Sequence, residues 1–319
     1  MRDVNLVDDE IDTRALLAIA EAAVDEAEAT FTAAVGADPA VMKSPGDFAT
    51  EADLSVERQL RTLLTRYTGM PVHGEEYGVV RPGEQVEINP NDEYADEFDG
   101  PQSKPPKGPS NPGLHELPET CWVVDPIDGT VNFIYGVPAS SVSVAATVNG
   151  VPVAGAVADI AHHRVFSACV GGPAQVGSES AAGGDGHPRS RILGPVTGPA
   201  GLSEALVGTG FSYSSARRAQ QAALLVELLP QIRDIRRLGS AALDLCAVAA
   251  GALDGFYEHG LGPWDHAAGA LIAARAGAQV HMPVLTAGYD DGVGVLAAAA
   301  SVAGELAGHT VSVRMVDNA

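Results

Sequence analysis

Apolar residues at helical spacing predict two helices near the start of the chain. Between residues 13 and 34, alanine and larger apolar residues recur every three to four positions, as they do in an amphipathic helix. After a turn-like stretch at residues 43–47, the tetrad Thr50-Glu-Ala-Asp53 fits the capping box that opens many helices. We therefore expect a second helix at residues 51–67.

The pattern then changes to short apolar runs bounded by turn residues, which predict strands. The strand at 121–125 is expected to stop at Pro126, and the glycine-rich stretch at 171–186 to form a surface loop. The first strands are expected at residues 70–73, 121–125, 142–148, 153–159 and 165–170. Later strands are expected at 205–207, 232–238, 255–258 and 294–298, alternating with helices at 215–229, 240–250, 265–276 and 302–306.

The stretch between residues 81 and 119 fits neither pattern. It holds eight of the chain's 21 prolines, and acidic residues crowd its part between residues 84 and 99. Such a segment buries little apolar surface, so we expect a long, partly disordered loop. Around this insert, residues 1–150 are expected to form an α+β half, and residues 151–319 an α/β half that closes a cleft against it.

Composition narrows the classes of function. Apolar residues make up 46% of the chain, and 41 acidic against 19 basic residues give a formal net charge of −22. A field of that sign repels phosphate backbones, which argues against nucleic-acid binding, and an anionic substrate needs a local cation beside it. The three cysteines lack metal-binding spacing, and neither a signal-peptide pattern nor an uninterrupted membrane span is present in the sequence. We therefore expect a cytoplasmic protein that does not bind membranes.

The densest chemical signal is the segment WVVDPIDGTVNF at residues 122–133. Asp125 ends a buried strand and Asp128-Gly129 makes a tight turn, so both carboxylates point into one small volume. Like charges this close repel each other unless a cation lies between them, and carboxylate oxygens suit Mg²⁺. The backbone N–H groups of Gly129 and Thr130 can hold a phosphate oxygen. By itself, however, the motif also fits a solvent-facing Asp-Gly turn.

Two more carboxylates stand at positions where sites are assembled. Glu75 follows a predicted strand, and Asp265 begins a predicted helix. Taken singly, a Glu-Glu pair is more typical of a solvated turn, and an aspartate at a helix start is more typical of a cap. Glu75 and Asp265 therefore indicate a site only in combination with the Asp125–Asp128 segment.

Together these motifs resemble those of the inositol monophosphatase family. The family's order and residue types are matched by Glu75 in GEE, Asp125 and Asp128 in DPIDGTVNF, and Asp265 in WDHAAG. The resemblance runs from residue 43 nearly to the C-terminus, and only the insert at 81–119 has no counterpart. It implies a layered αβαβα sandwich of the inositol monophosphatase and fructose-1,6-bisphosphatase type. It also implies hydrolysis of a phosphate monoester by a water molecule that divalent metals activate.

The resemblance further implies two or three Mg²⁺ ions per active site. Their implied ligands are Glu75, Asp125, the carbonyl of Ile127, Asp128 and Asp265. The water molecule is expected to be oriented by Glu75 and Thr130, which are thus the implied catalytic residues. Lithium is expected to inhibit by taking a magnesium position, and a homodimer is expected because similar proteins are commonly dimers. A flanking element supplies possible outer residues of the site, Lys43, Asp47 and Asp53.

Substrate recognition is implied at two groups of residues. Asp128, Gly129 and Thr130 are expected on the phosphate side. On the alcohol side, Glu258 lies seven positions before Asp265, matching a glutamate that receives ring hydroxyls in inositol-type members, and the backbone of Gly239, Ser240 and Ala241 borders the same ring. The alternative for Glu258 is an ordinary charge at a strand end.

The expected reaction is Mg²⁺-dependent hydrolysis of myo-inositol 1-phosphate to inositol and phosphate. Histidinol phosphate is an alternative substrate, since its amine can pair with Glu258, and another small sugar phosphate is a further one. From a different class, the chain can be an interaction protein that retains the site and uses the insert at 81–119 as its contact surface.

Overall fold

The computed structural model describes residues 11–33, 39–44, 47–82, 117–178, 189–287, 291–311 and 315, and for 39–44, 47–49, 178 and 189 the backbone alone. The insert predicted as a loop at 81–119 therefore lies almost entirely outside the described residues, and its acidic part at 84–99 does so completely. Within the described residues, no helix combines the length and the apolar character needed to cross a bilayer.

The described part of the chain forms helices at the six places where the apolar pattern predicts them, and a short helix that was not predicted, at Thr130–Tyr135, follows the strand that ends at Asp128. Their bounds are α1 (Thr13–Ala33), α2 (Glu51–Thr68), α3 (Thr130–Tyr135), α4 (Ser215–Leu228), α5 (Ala241–Ala249), α6 (Pro263–Arg275) and α7 (Ala300–Thr310). The capping box at the start of α2 is confirmed. Thr50 Oγ1 accepts the N–H of Asp53 at 3.3 Å, and Asp53 Oδ2 accepts the N–H of Thr50 at 2.7 Å.

The strands form two large sheets and one hairpin. Their bounds are β1 (Pro39–Ser44), β2 (Asp47–Thr50), β3 (Val72–Gly74), β4 (Gly78–Val80), β5 (Thr120–Asp128), β6 (Ser141–Val148), β7 (Val151–Asp159), β8 (Arg164–Cys169), β9 (Gln175–Ser178), β10 (Arg189–Ile192), β11 (Leu206–Thr209), β12 (Asp234–Arg236), β13 (Gly255–His259), β14 (Gln279–His281) and β15 (Gly294–Ala298). The larger sheet has the order β10-β9-β8-β7-β6-β5-β3-β4, and the smaller one β12-β11-β13-β15-β14. β1 and β2 pair with each other.

Helices and sheets alternate in five layers. One face of the larger sheet packs against α1 and α2 through residues such as Leu60 and Trp122. Its other face, at Val123, packs on α5 and α6, which in turn cover the smaller sheet at Phe256. The far side of the smaller sheet carries α7, with Val302 in its core. These layers confirm the αβαβα sandwich, because each sheet buries both of its faces.

The larger sheet continues across the boundary that the sequence predicts between residues 150 and 151. That boundary falls in the turn between β6 and β7, which are paired neighbours. Sheet pairing alone therefore does not separate the chain there, and the division into two halves that enclose a cleft stays a prediction.

Two local predictions are wrong. β5 does not stop at Pro126 but continues to Asp128, because its pairing with β6 becomes irregular after Asp125 and a bulge tolerates a residue that has no N–H group. The stretch at 171–186 is not all surface loop, since β9 occupies part of it. Gln175 anchors this strand by donating from its side chain to Glu21 at 3.0 Å.

Candidate active site

Two carboxylates from the end of β5 and a third from the start of α6, more than 130 residues further along the chain, meet at one end of the larger sheet. Asp125, Asp128 and Asp265 each offer an oxygen, and these oxygens all lie within 4.8 Å of one another. Asp125 and Asp128 are buried and Asp265 is half-buried. We call these three residues the carboxylate triad. Its donor set consists of hard anionic oxygens, which fits a divalent cation such as Mg²⁺.

The electrostatics of the carboxylate triad point the same way. Burial raises the pKa of Asp128 to about 6, with the charge of Glu75 adding to the rise and hydrogen bonds from Ser240 and Ala242 opposing it. The pKa of Asp265 is also raised, first by burial and then by the charges of Asp128 and Glu75. The residues therefore resist becoming fully ionised together, and a bound cation would relieve that repulsion.

Sheet pairing explains how Glu75 reaches this place. β3 and β5 are parallel neighbours, with Gly74 opposite Val124. The residues that come next along the two chains, Glu75 and Asp125, therefore lie at the same edge of the sheet. Glu75 does not belong to the group of oxygens within 4.8 Å, but its charge acts on Asp128 and Asp265. Three of the four predicted carboxylate ligands thus converge closely, and the fourth lies near enough to interact.

A buried ion pair on α2 holds the backbone that follows Glu75. Glu57 is completely buried, and its Oε2 accepts the N–H of Glu76 at 2.8 Å. Arg61 donates from Nε to Glu57 Oε1 at 2.9 Å and from Nη1 to the carbonyl of Val72 at 2.8 Å. The pair therefore links α2 to both sides of the Glu75 turn.

Gly74 has to be glycine for this packing, because a Cβ there would overlap the carboxylate of Glu57. Sequence reasoning missed the pair Glu57 and Arg61. The signal that was available is a glutamate and an arginine four residues apart on the same helix face as the buried Leu60 and Leu64.

The end of β5 and the turn that follows it are held by hydrogen bonds among their own residues and to Asp53. Asp125 Oδ1 accepts the N–H of Ile127 at 3.0 Å. The hydroxyl of Thr130 lies 2.9 Å from the carbonyl of Ile127 and 3.2 Å from Oδ1 of Asp53, and its single hydrogen can go to either. Asp53 thus caps α2 with one oxygen and contacts a predicted catalytic residue with the other.

Gly129 allows a second chain segment to approach this turn. Its φ is +89°, and a Cβ would lie 2.9 Å from the carbonyl of Ala139 and 3.1 Å from that of Gly239. Asn132, which sequence reasoning did not single out, holds these segments together. Its side-chain amide donates to the carbonyls of Ala139 and Leu238 at 2.8 Å each. The predicted substrate segment at 239–241 therefore borders the Asp128 turn.

Ser240 adds a direct link to the carboxylate triad. Its hydroxyl donates to Asp128 Oδ2 at 2.6 Å, and the N–H of Ala242, from the first turn of α5, donates to the same oxygen at 2.7 Å. Asp265 is held similarly, since its Oδ2 accepts the N–H of Gly262 at 2.6 Å. Each aspartate keeps one oxygen oriented by a helix start.

Glu258 lies on β13, half-buried, near this group. Burial raises its pKa to about 8, with Arg237 lowering it and Asp128 raising it. Glu258 in turn adds to the raised pKa of Asp265. The structure thus brings the predicted ring-binding carboxylate into the electrostatic field of the carboxylate triad. The side chains of Lys43 and Asp47 lie outside what the structure describes.

Comparisons with known proteins agree with this fold. The model of the "Inositol monophosphatase family" matches residues 8–313. The "Inositol-1-monophosphatase SuhB" of Mycobacterium tuberculosis is 45% identical over 264 residues, which is 82% of this chain and 78% of that protein. The solved structure of Mycobacterium tuberculosis SuhB superposes with a TM-score of 0.70 at 39% identity, covering 94% of this chain and 97% of that one. A "Nus factor SuhB" of Pasteurella multocida is 40% identical over 160 residues, 50% of this chain and 55% of that protein.

A five-layer fold with a carboxylate triad at a sheet edge, matched in this way, defines a phosphoric monoester hydrolase. The chain belongs to the inositol monophosphatase family. The resemblance drawn from GEE, DPIDGTVNF and WDHAAG is thereby confirmed.

Proposed function

We propose that the chain is a Mg²⁺-dependent phosphatase that hydrolyses myo-inositol 1-phosphate to inositol and phosphate. The observation that carries the proposal is the convergence of the carboxylate triad with a further carboxylate, Glu258, that lies in the same electrostatic field. The relatives whose names state inositol-1-monophosphatase activity support the choice of substrate.

The proposed metal ligands are the carboxylate triad, Glu75 and the carbonyl of Ile127. When bound, divalent cations would neutralise the charge of the phosphate and lower the pKa of a water molecule. The three triad oxygens lie within 4.8 Å of one another, which fits such cations. Burial and the charge of Glu75 raise the pKa of Asp128 to about 6, and a bound cation would offset both effects. Two or three Mg²⁺ ions per site are part of the proposal.

The residues of the turn orient the reacting groups. Thr130 donates its hydroxyl hydrogen to Asp53 or to Ile127, which leaves its oxygen free to accept a hydrogen bond from the attacking water. Glu75 is proposed as the second acceptor for that water. The N–H groups of Gly129 and Thr130, at the start of α3, are proposed to hold phosphate oxygens.

The alcohol side of the substrate is proposed to rest against Glu258 and the segment 239–241. A carboxylate accepts hydroxyl hydrogens and repels a second phosphate, so this pocket favours a neutral polyol over a bisphosphate. Histidinol phosphate is the second candidate, because the positive charge of its amine would favour the ionised form of Glu258 and could pair with it.

A substrate panel tests the proposal. Phosphate release is measured with inositol 1-phosphate, histidinol phosphate, fructose 1,6-bisphosphate and phenyl phosphate, each with Mg²⁺ and with a chelator. We expect inositol 1-phosphate to give the highest kcat/KM, the chelator to abolish turnover, and lithium to inhibit. Turnover that persists in chelator, or a preference for the bisphosphate, would contradict the proposal.

A homodimer and a cytoplasmic location complete the proposal. The three free cysteines are all buried thiols, which accords with a reducing compartment. Light scattering of the purified protein tests the dimer, and fractionation of the source cells tests the location. A role as an interaction protein is the alternative, and restoration of a null strain by the Asp128→Asn variant would favour it over catalysis.

A further inference from the structure

A contact between two aromatic rings joins the segments that carry Glu75 and Asp265. His73 lies on β3, two positions before Glu75, and Trp264 lies in the first turn of α6, directly before Asp265. The ring centroids are 5.3 Å apart and the ring planes meet at 88°, which is an edge-to-face contact. Nothing in the site described above uses this contact.

The two faces of β3 explain why these rings meet. Val72 belongs to the core formed with α1 and α2, and a Cβ on Gly74 would overlap Glu57 of α2. Successive residues of a strand face opposite sides of the sheet, so His73 faces the layer in which α5 and α6 pack. Its ring therefore contacts α6 where that helix begins.

His73 contributes a ring at this position rather than a polar group. The residue is completely buried, and neither ring nitrogen has a hydrogen-bond partner among the residues that the structure describes. Burial of unpartnered polar atoms costs free energy that a phenyl ring in the same place would not cost. The contact with Trp264 is thus the interaction through which the imidazole can stabilise this region.

Trp264 is held from two further directions. A Cβ on Gly262, the residue before α6, would lie 2.5 Å from Cε2 of the indole, so the ring folds back over the start of its own helix. The carbonyl of Trp264 accepts the hydroxyl of Ser143, on β6, at 3.3 Å. Asp265 is fixed to the same helix start, since its Oδ2 accepts the N–H of Gly262 at 2.6 Å. The indole and the carboxylate of Asp265 therefore belong to one well-held turn.

The contact opposes a repulsion between the two segments. Glu75 follows β3 and Asp265 begins α6, and the charge of Glu75 acts on Asp265. Without a cation, this repulsion favours separation of the two elements. A contact directly behind each carboxylate keeps the elements together, so that less ordering is needed when a cation binds.

We propose that His73 and Trp264 are positioning residues for the metal site: their ring contact holds β3 against the start of α6 and keeps Glu75 near Asp265 before Mg²⁺ binds. The inference rests on the proposed function, because it takes Glu75 and Asp265 as ligands of Mg²⁺. Both rings act through the carboxylates that follow them in the chain.

Calorimetric titration of chelator-treated protein with Mg²⁺ at pH 7.5 tests the role of the ring. His73→Leu fills the apolar space but removes the edge-to-face contact, so its Mg²⁺ affinity should be about three- to tenfold lower than that of the wild type. His73→Phe keeps a ring and removes the unpartnered nitrogens. It should bind Mg²⁺ within about twofold of the wild type and have a higher Tm.

Val72→Ala is the matched control for a loss of packing. It removes apolar contacts from the opposite face of the same strand, so it should lower Tm and leave the Mg²⁺ affinity unchanged. If His73→Leu does not fold, Trp264→Leu removes the same contact from the other side and should show the same loss of affinity.

Fluorine NMR of protein labelled with 5-fluorotryptophan gives a readout that a general loss of stability would not move. The chain has two tryptophans, and Trp122 lies in the core on the other face of the larger sheet, where its Nε1 donates to Thr68. Without metal, His73→Leu should shift the Trp264 resonance and leave that of Trp122 in place. Val72→Ala should do the opposite, because Val72 is paired with Trp122.

Three results would overturn the proposal. Equal Mg²⁺ affinity of His73→Leu and the wild type would show that the contact does not prepare the site. Equal losses in His73→Leu and His73→Phe would show that the ring is not what matters, and an equal loss in Val72→Ala would show a general effect of stability. If the wild type itself binds no Mg²⁺, the proposed function fails, while the Trp264 resonance still reports whether His73 holds the indole in place.

Discussion

The molecule uses buried carboxylates in two neighbouring regions, and it arranges them differently. The carboxylate triad gathers three oxygens within 4.8 Å at the edge of the larger sheet. Beside the smaller sheet, Glu258 and the buried Asp244 of α5 share the charge of one cation, Arg237. The triad is too crowded to ionise fully without an added cation, whereas Glu258 and Asp244 already have a guanidinium in their electrostatic field.

This difference separates two tasks. A cluster that requires a divalent cation suits the phosphate, which every substrate of the class carries. Glu258 is the carboxylate proposed to accept hydroxyl groups, which only some substrates carry. We expect substitutions in the triad to affect all substrates alike, and substitutions at Glu258 to affect them selectively.

The largest expected effect follows from Asp128→Asn. The change keeps the side-chain volume but removes a charge from the centre of the carboxylate triad, so kcat/KM should fall at least ~10²-fold with every phosphate ester tested. Steady-state kinetics in saturating Mg²⁺ measures it. Asp159→Asn, at the end of β7, is the matched control for loss of a buried strand-end carboxylate, and it should leave kcat/KM almost unchanged. Near-normal turnover by Asp128→Asn would show that the triad is not required for catalysis.

The triad should also make the metal-free protein sensitive to pH. The pKa of Asp128 is raised from 3.8 to about 6, so its proton stabilises the fold at low pH and this stability is lost as pH rises through about 4 to 6. A shift of this size corresponds to roughly 3 kcal/mol at most. The raised pKa of Asp265 extends the loss to higher pH.

Thermal melting at pH 5 and pH 7.5 checks this expectation. With a chelator at pH 7.5, the wild type should have a lower Tm than Asp128→Asn. Saturating Mg²⁺ should raise Tm more at pH 7.5 than at pH 5, because the cation stabilises the ionised carboxylates. An equal effect of Mg²⁺ at both pH values would contradict the expected role of the triad.

A selective effect is expected from Glu258→Gln. The variant should lose about 1–3 kcal/mol of transition-state stabilisation with inositol 1-phosphate, the usual contribution of a charged hydrogen bond, and much less with phenyl phosphate. Asp254→Asn, on the segment just before β13, serves as the control, since Asp254 accepts a backbone N–H from Leu206 away from the site. Equal losses with both substrates would leave Glu258 with a structural role.

A smaller, indirect effect is expected from Glu57→Gln. The variant weakens the link between Arg61 and the backbone after Glu75, so Glu75 is held less firmly and the apparent Mg²⁺ affinity should fall by roughly 1 kcal/mol, about fivefold. Activity titrated with Mg²⁺ measures this. Glu51→Gln is the matched control on the same helix, because its ion pair with Arg58 is exposed and contributes little. A lowered kcat at saturating Mg²⁺ with unchanged affinity would argue against the positioning role.

The sequence predicts those parts of the site whose geometry is local. Asp125 of the DPIDGT segment bonds the backbone two residues further on, and the Thr50–Asp53 capping box closes within one helical turn, so spacing alone points to both. The residues that sequence reasoning missed act between distant segments. Asn132 reaches Leu238, 106 positions away, and Asp244 looks like a single polar residue in the otherwise apolar helix α5.

Two glycines show the same limit of sequence-based prediction, because their roles depend on distant segments. Gly208 and Gly210 read as part of an ordinary strand and turn, and their role depends on which side chains fold over them from α5 and β13. The continuation of β5 through Pro126 was missed for a related reason, because the bulge that tolerates proline is set by the partner strand β6.

The measurement that tests the central claim most directly is calorimetric titration of chelator-treated protein with Mg²⁺ at pH 7.5, for the wild type and for Asp128→Asn. If the carboxylate triad is the metal site, the wild type binds Mg²⁺ saturably, and Asp128→Asn binds at least about tenfold more weakly, since one of the shared anionic ligands is gone. Asp159→Asn should bind like the wild type. Equal Mg²⁺ binding by Asp128→Asn and the wild type would contradict the assignment of the metal site.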